Sequence, residues 1–408
     1  MDYLEQRRKL RQMVQERLDY GRDYTDEEVE DTIDEVLMEQ ENLELCSVEL
    51  RRRLRKELFD SLRRLDILQI FVDDSSVTEI MINGLDHIFV ERDGQLQELD
   101  RAFDSMEKLQ DVIQQIVAGC NRVVNEASPI VDARLSNGAR VNIVMSPIAL
   151  NGPIITIRRF PDKPITMQKL IAMETISPEA ADFLKTLVKA GYNIFVSGGP
   201  GSGKTTFLNV LSGFIPPEQR IITIEDSAEL QLQGIPNLVR LETRNGNAEG
   251  CREIGIRELI RSSLRMRPDR IIVGEVRGAE AIDMLQCMNT GHDGSMSTGH
   301  ANSAADMLSR LENMVLMGMD MPVSAIRAQI SSAIDIIVHL ARLRDKSRKV
   351  VQIAEVGNCI NGEIALTPLF KFVENSQDKN GKVIGTLVRQ NNVFNRTEKL
   401  EAAGFSEW

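Results

Sequence analysis

Residues 193–206 read Asn193-Ile194-Phe195-Val196-Ser197-Gly198-Gly199-Pro200-Gly201-Ser202-Gly203-Lys204-Thr205-Thr206 and contain the pattern G-x-x-x-x-G-K-[ST]. The apolar run before the glycines predicts a short buried strand. Phe207, Val210, Leu211 and Phe214 follow at i, i+3, i+4 and i+7, one face of a helix. Strand, glycine-rich turn and helix in that order suit a phosphate. Glycines let backbone amides turn inward around a β-phosphate, and the helix N-terminus adds partial positive charge. Lys204 is placed to reach the β- and γ-phosphates and the Thr205 hydroxyl to bind Mg²⁺. The candidate nucleotide-binding residues are therefore Gly198, Gly199, Gly201, Ser202, Gly203, Lys204, Thr205 and Thr206, with ATP and Mg²⁺ as the implied cofactors. The alternative, a glycine-rich turn with a chance lysine, requires neither flanking element.

Three later segments complete such a site. Ile221-Ile222-Thr223-Ile224-Glu225-Asp226-Ser227-Ala228-Glu229 is an apolar strand running into acids. Acids just past the C-terminal end of a parallel strand sit at the ligand edge of the sheet. Arg270-Ile271-Ile272-Val273-Gly274-Glu275 is a second such strand, preceded by a helix carrying Ile256, Leu259, Ile260 and Leu264. An ordinary phosphate-loop enzyme holds its Mg²⁺ shell with Asp where Gly274 stands. Here the metal duty falls to Thr205 and Glu275, partly through water and shared with the earlier acids. Gly294-Ser295-Met296-Ser297-Thr298-Gly299-His300-Ala301-Asn302 is the third segment. His292 and His300 lack helical zinc spacing and a Cys or His partner nearby. Any one of these features alone could be a helix cap or a solvated tip; together they point to one site.

Outward from this centre, residues 167–340 alternate helical and strand patterns, which predicts an α/β domain with a parallel sheet covered by helices. Residues 341–408 are polar and read as small strands, Val350–Val356 and Ile364–Leu366, and helices packed on that domain. Residues 161–166 read as a linker by their prolines. Residues 67–160 carry β-branched runs closed by Asn83-Gly84 and Asp93-Gly94, a helix at Met106–Ala118 and three further strands, a small α+β domain. Residues 1–66 form a charged helical extension. Positions 23–44 hold eleven acids and no Lys or Arg, whereas 51–64 hold seven Lys or Arg against two acids. Thr25-Asp26-Glu27-Glu28 has the form of a capping box. Two or three amphipathic helices pairing with each other are expected; a binding arm, or a patch for anionic lipid headgroups, is the alternative.

The chain of 408 residues has a net charge of −12, and aromatic residues make up 4% of it. Both argue against a nucleic-acid coat or stacking groove, so no nucleic-acid partner is expected. Cys46, Cys120, Cys251, Cys287 and Cys359 lie far apart with no C-x-x-C, which fits a reducing cytoplasm. No run of 18 apolar residues exists, and the N-terminus lacks an apolar signal core. A membrane role would have to run through a partner or a surface.

Val131-Asp132-Ala133-Arg134-Leu135-Ser136-Asn137-Gly138-Ala139-Arg140-Val141 reads as a hairpin with a three-residue loop and Gly138 in the left-handed region. That register sets Arg134 directly opposite Arg140. Like charges directly opposite are destabilising, so an anion between them is expected; a γ-phosphate qualifies, and neutralisation by Asp132 or another acid is the alternative. Arg158 and Arg159, near the linker, are second candidates.

The ordered set GGPGSGKTT, ITIEDSAEL, RIIVGEVRG and GSMSTGHANS resembles the Walker A, Asp box, Walker B and His box of the type II/type IV secretion ATPases. It most resembles the CpaF/TadA branch, which drives Tad (Flp) pilus assembly. The likeness covers about residues 60–370, and Gly274 in place of Asp is usual there. The four-cysteine zinc insert of some type II members is missing. The resemblance implies a RecA-like phosphate-loop domain with a PAS-like N-terminal domain. It implies a homo-hexamer that hydrolyses ATP to power pilus assembly or secretion. The partner would be an inner-membrane platform protein, met at the cytoplasmic face of the membrane. Carried over, Glu229, or in its place Glu225, positions and deprotonates water, Glu275 holds the Mg²⁺ water shell and His300 senses the γ-phosphate. Arg134 and Arg140 are expected to serve their own chain's nucleotide. The competing classes are a RecA-like nucleic-acid translocase, marked by DNA-stimulated turnover, and a nucleotide-gated scaffold that binds without turnover.

Overall fold

In a computed structural model the chain divides into two units, Met1–Asp162 and Lys163–Trp408. The described residues are 3–18, 21–39, 47–92, 94–120, 122–159, 164–244, 252–360, 362–379 and 381–405. Phe160 of the expected α+β domain, Pro161–Lys163 of the expected linker, Asp93 of the second hairpin signal, Cys46 and Cys251 lie outside them. Cys120, Cys287 and Cys359 are free thiols. Among the described residues no helix is long and apolar enough to cross a membrane.

The first unit opens with α1 (Tyr3–Arg17), α2 (Asp26–Met38) and α3 (Val48–Arg63). Thr25 starts α2 with the expected capping box: the Glu28 amide donates to Thr25 Oγ1, and the Thr25 amide to Glu28 Oε2. The acidic α2 and basic α3 pair as the charge split suggests. Arg55 bonds Asp34 at 2.7 Å and Glu30 at 2.9 Å, and Arg63 bonds Asp26 at 2.9 Å. Such exposed pairs contribute at most about 1 kcal/mol each. The stripe beneath them, Leu10, Val14, Val29, Ile33, Val36, Leu54 and Leu58, is buried and contributes roughly 1.5–3 kcal/mol per side chain, so it dominates. Arg7 and Arg11 of α1 then tie the helices to Asp104.

After α4 (Gln69–Asp73) come β1 (Val77–Asn83), β2 (His87–Arg92), β3 (Gln95–Glu98), α5 (Met106–Ala118), β4 (Ile130–Arg134), β5 (Arg140–Val144) and β6 (Ile154–Arg158). The six strands form one antiparallel sheet in the order β3-β2-β1-β6-β5-β4. Alternating residues such as Ile80, Ile82, Val141, Ile143, Ile155 and Ile157 are buried and share a core with Leu109, Val112, Ile113 and Ile116 of α5.

The second unit contains α6 (Met167–Ala172), α7 (Pro178–Lys189), β7 (Ile194–Gly198), α8 (Lys204–Ser212), β8 (Ile221–Glu225), β9 (Leu238–Glu242), α9 (Ile256–Ser263), β10 (Arg270–Val273), α10 (Ala281–Met288), β11 (Met296–His300), α11 (Ala304–Gly318) and α12 (Val323–Ala333). It continues through β12 (Ile336–Arg342), β13 (Arg348–Ile360), β14 (Glu363–Gln377), β15 (Val383–Arg389) and α13 (Glu398–Ala402). One nine-stranded sheet runs β15-β14-β13-β12-β7-β11-β10-β8-β9. From β12 to β9 it is parallel, and β7, β8 and β10 are buried along their whole length, as expected for a sheet covered on both faces.

Two sequence readings are corrected here. Residues 341–408 do not form small strands packed on the domain: β13 has 13 residues and β14 has 15, and both extend the same sheet. Polar residues persist along both strands, some of them buried, such as Lys349 and Glu355, and β14 ends in an exposed run, which hides their length. Leu264 and Phe214 fall just past the ends of α9 and α8, so each apolar stripe outruns its helix by one position or two.

Candidate nucleotide site

The loop between β7 and α8 is shaped by what its glycines exclude. A Cβ on Gly198 would lie 2.4 Å from the Leu340 carbonyl oxygen and 2.6 Å from Ser202 Oγ. Gly201 and Gly203 sit at φ of 66° and 94°, where other residues are strained. Gly203 is the N-cap of α8 and supplies no side-chain acceptor, so the amides that open the helix, including those of Thr205 and Thr206, have no side-chain cap. Around Gly199 the space a Cβ would meet is open. Ser202 Oγ donates to the Gly199 carbonyl at 2.8 Å and closes the turn. A glycine turn running into a helix N-terminus that no side chain caps fits an anion.

Lys204 enters this turn largely buried, and desolvation pushes its pKa below the usual lysine value. Its Nζ donates to the Gly199 carbonyl at 3.2 Å and to His300 Nδ1 at 3.1 Å, both neutral acceptors. His300 ends β11 in register with Gly198. Burial first and then the Lys204 charge hold the imidazole below its ordinary value. With Nδ1 accepting from Lys204, the network assigns the ring proton to Nε2, which lies 2.8 Å from Glu275 Oε1. That oxygen nevertheless receives no aligned hydrogen bond, so the contact is close but not directed. Glu275 Oε2 accepts from Arg277 Nη2 and Nε at 2.6 and 2.9 Å. The adjacent ends of β7, β11 and β10 thus bring Lys204, His300 and Glu275 into one chain of contacts.

Glu225, the last residue of β8, is 2% exposed. Its Oε1 accepts from the amides of Glu229 and Leu230, each at 2.8 Å, while Oε2 is buried with no partner among the described residues. Burial raises its pKa above the ordinary carboxylate value. Glu229 is half-buried, its backbone fastened by Glu225. Among the described residues no three His, Cys, Asp or Glu side chains cluster to hold a metal by themselves. The orphaned oxygens of Glu225 and Glu275 and the position of Thr205 fit a Mg²⁺ held largely through phosphate and water.

The arginines lie in the first unit. Gly138 takes φ 87°, Leu135 donates to the Ala139 carbonyl, and Arg134 pairs with Arg140 in the ladder as expected. The sheet adds what the hairpin alone does not show: Arg140 also pairs with Arg158 on β6, so three guanidiniums stand in one cross-strand row. Asp132 reaches Arg140 at 3.6 Å and Glu79 reaches Arg158 at 3.8 Å, while Arg134 Nε donates to the Gly138 carbonyl. Arg159 is turned to the Asp74 carbonyl. The sequence reading missed Arg277, which the Asp226 and Glu275 carboxylates bracket, because nothing in RIIVGEVRG marks one arginine as bent back on its own segment.

A model of the type II/IV secretion system protein family matches residues 62–392. The chain belongs to that family. It is 34% identical over 316 residues to the type IV secretion system protein PtlH of Bordetella pertussis, covering 71% of this chain and 93% of that one. It is 32% identical over 307 residues to the conjugal transfer protein TrbB of Rhizobium radiobacter, covering 74% and 90%. Among solved structures, the pilus retraction motor PilT with bound ADP aligns with a TM-score of 0.53 at 19% identity, over 84% of this chain and 87% of that one. The Legionella pneumophila ATPase DotB aligns at 0.51 and 19%. These structures show the fold, an α/β architecture with a RecA-like phosphate-loop domain. The family's matched region takes in both the six-stranded sheet and the nine-stranded sheet described above.

Proposed function

We propose that this secretion-family chain is a Mg²⁺-dependent ATPase, working as a hexamer in the cytoplasm at the inner face of the membrane. It would power pilus assembly or protein secretion through an inner-membrane platform protein. The motif order favours the CpaF/TadA branch and a Tad pilus. The observation that carries the reading is the Lys204–His300–Glu275 chain set against the glycine cradle. A buried cation with only neutral acceptors is poised for a phosphate, and preorganised charge is the main catalytic resource in phosphoryl transfer.

Under this reading the cradle amides, Ser202, Thr205 and Thr206 bind phosphates, and Lys204 moves its proton donors from Gly199 and His300 to the β- and γ-phosphates. Thr205 and Glu275 would hold Mg²⁺, which shields phosphate charge when bound. His300, neutral and joined to both Lys204 and Glu275, is suited to report whether the γ-phosphate has arrived. Of the two Asp-box glutamates, Glu225 carries the buried free oxygen and the raised pKa that suit a water-orienting base, and Glu229 is the alternative. Arg134 and Arg140 keep the role expected from the sequence, positive charge that would stabilise the leaving γ-phosphate.

Phosphate release and nucleotide affinity test the proposal. Lys204→Ala should lose both binding and turnover, while Glu275→Gln keeps binding and loses turnover. Wild-type turnover in Glu275→Gln would defeat the site assignment. Light scattering with nucleotide should give about six times the 45.8 kDa chain mass, as closed head-to-tail rings require.

A further inference from the structure

The ladder of β12 and β13 sets Arg342 directly opposite Arg348, at the mouth of the hairpin that joins them. Two like charges facing each other across a ladder are unfavourable unless an anion lies between or beside them. This pair sits on the phosphate loop. Leu340, two residues before Arg342, is in register with Gly198, and its carbonyl oxygen occupies the space a Gly198 side chain would need. Arg348 Nε donates to the Gly201 carbonyl at 2.9 Å. A Cβ on Gly203 would meet Arg348 Cδ at 3.5 Å, and one on Gly201 would meet Arg342 Nη1 at 3.9 Å.

The hairpin is built to hold this position. Asp345 accepts from the Ser347 amide and hydroxyl and from the Val383 amide, which together draw its carboxyl down to about 2. Arg344 is taken by Glu374. The Arg342 side chain, by contrast, has no hydrogen-bond or ion-pair partner among the described residues, and among them the Arg348 side chain donates only through Nε to the loop. Two guanidiniums therefore present their remaining donors beside a phosphate cradle, on a hairpin held by Asp345.

Sheet order says which end of a nucleotide they face. Glu275 follows β10 and His300 ends β11, on one side of β7; Arg342 and Arg348 belong to β12 and β13, on the other. If the hydrolytic groups mark the γ-phosphate end, the opposite flank faces the nucleoside end. We infer that Arg342 and Arg348 form a clamp on the α-phosphate side of the bound nucleotide, supplying affinity for any nucleoside di- or triphosphate rather than turnover. The inference rests on the nucleotide reading proposed above.

The test measures ADP and ATP affinity by calorimetry for the wild-type chain, Arg342→Gln and Arg348→Gln, with kcat and KM for ATP. Losing a charge-assisted bond should weaken ADP and ATP alike, roughly tenfold or more, raise KM to match and leave kcat at saturation near wild type. Arg342→Gln is the cleaner probe because Arg342 makes no bond to the loop. Both residues are exposed, and unchanged melting temperatures will confirm intact folding. Wild-type ADP affinity in Arg342→Gln would overturn the clamp, as would a loss confined to ATP or a fall in kcat alone. If the wild-type chain binds neither nucleotide, the ATPase reading falls and the clamp with it; if it binds both and the variants bind equally well, only the clamp falls.

Discussion

Glu225 occupies the room that a side chain at Gly274 would need: a Cβ there would lie 3.0 Å from Glu225 Cγ and 3.5 Å from Oε1. β8 and β10 are neighbours, and the Gly274 amide donates to the Ile224 carbonyl, so the two positions cannot separate. The space at the strand end where an ordinary phosphate-loop enzyme places Asp is therefore filled from the next strand. Any side chain at 274 would press on Glu225, which would have to give way by a few tenths of an ångström.

Gly274→Asp should cost about 1–3 kcal/mol of stability through overpacking and abolish turnover by displacing Glu225. Shortening the neighbour relieves the clash, so Glu225→Ala combined with Gly274→Asp should melt higher than Gly274→Asp alone. Chemical denaturation of the four chains in the cycle measures the coupling; additive effects would show that the two sites do not compete for space.

Burial raises the folded pKa of Glu225 above its ordinary 4.5. Its stability contribution is full below that ordinary value and is lost as pH rises through the folded one. Glu225→Gln keeps an acceptor for the Glu229 and Leu230 amides and removes the buried charge. At pH 7 it should melt no lower than the wild-type chain while losing turnover. Retained turnover in Glu225→Gln with loss in Glu229→Gln would move the base to Glu229.

For His300 the folded pKa lies below the ordinary 6.5, through burial first and then Lys204, with Arg277 and Arg310 also opposing protonation and Glu275 favouring it. Over the window between 6.5 and the lower folded value the unfolded chain binds a proton that the folded chain refuses, so stability falls as pH drops through it. Protonation would also remove the acceptor for Lys204. Melting curves from pH 7.5 to 5 should fall less steeply for His300→Gln than for wild type, and the acidic limb of the turnover profile should change with them.

The arginine row predicts opposite signs for stability and function. Arg140 stands between Arg134 and Arg158, so Arg140→Thr removes two like-charged neighbours and should leave stability unchanged or raise it by up to about 1 kcal/mol. Turnover should drop more than nucleotide affinity. A destabilised variant with normal turnover would make the row a structural feature held by Asp132 and Glu79.

The parts legible in the sequence were those set by short-range chemistry. Thr25 and Glu28 are three residues apart, Gly138 alone among its neighbours suits the left-handed turn, and the loop from Gly198 to Lys204 carries its own strand and helix signals; each is decided by atoms a few positions away. The length of β13 and β14 was not legible, because polar residues run along both strands and the exposed end of β14 shares its composition with a loop. Neither was the third arginine of the row, the glutamate filling the space beside Gly274, or the arginine pair seated on the phosphate loop. Each is a contact between strands brought together only by sheet order, and strand order is chosen by how buried faces pack rather than by any local signal. Residue types and local turns thus came from the sequence alone. Which charges meet, and on which flank of the cradle, was decided by the tertiary structure.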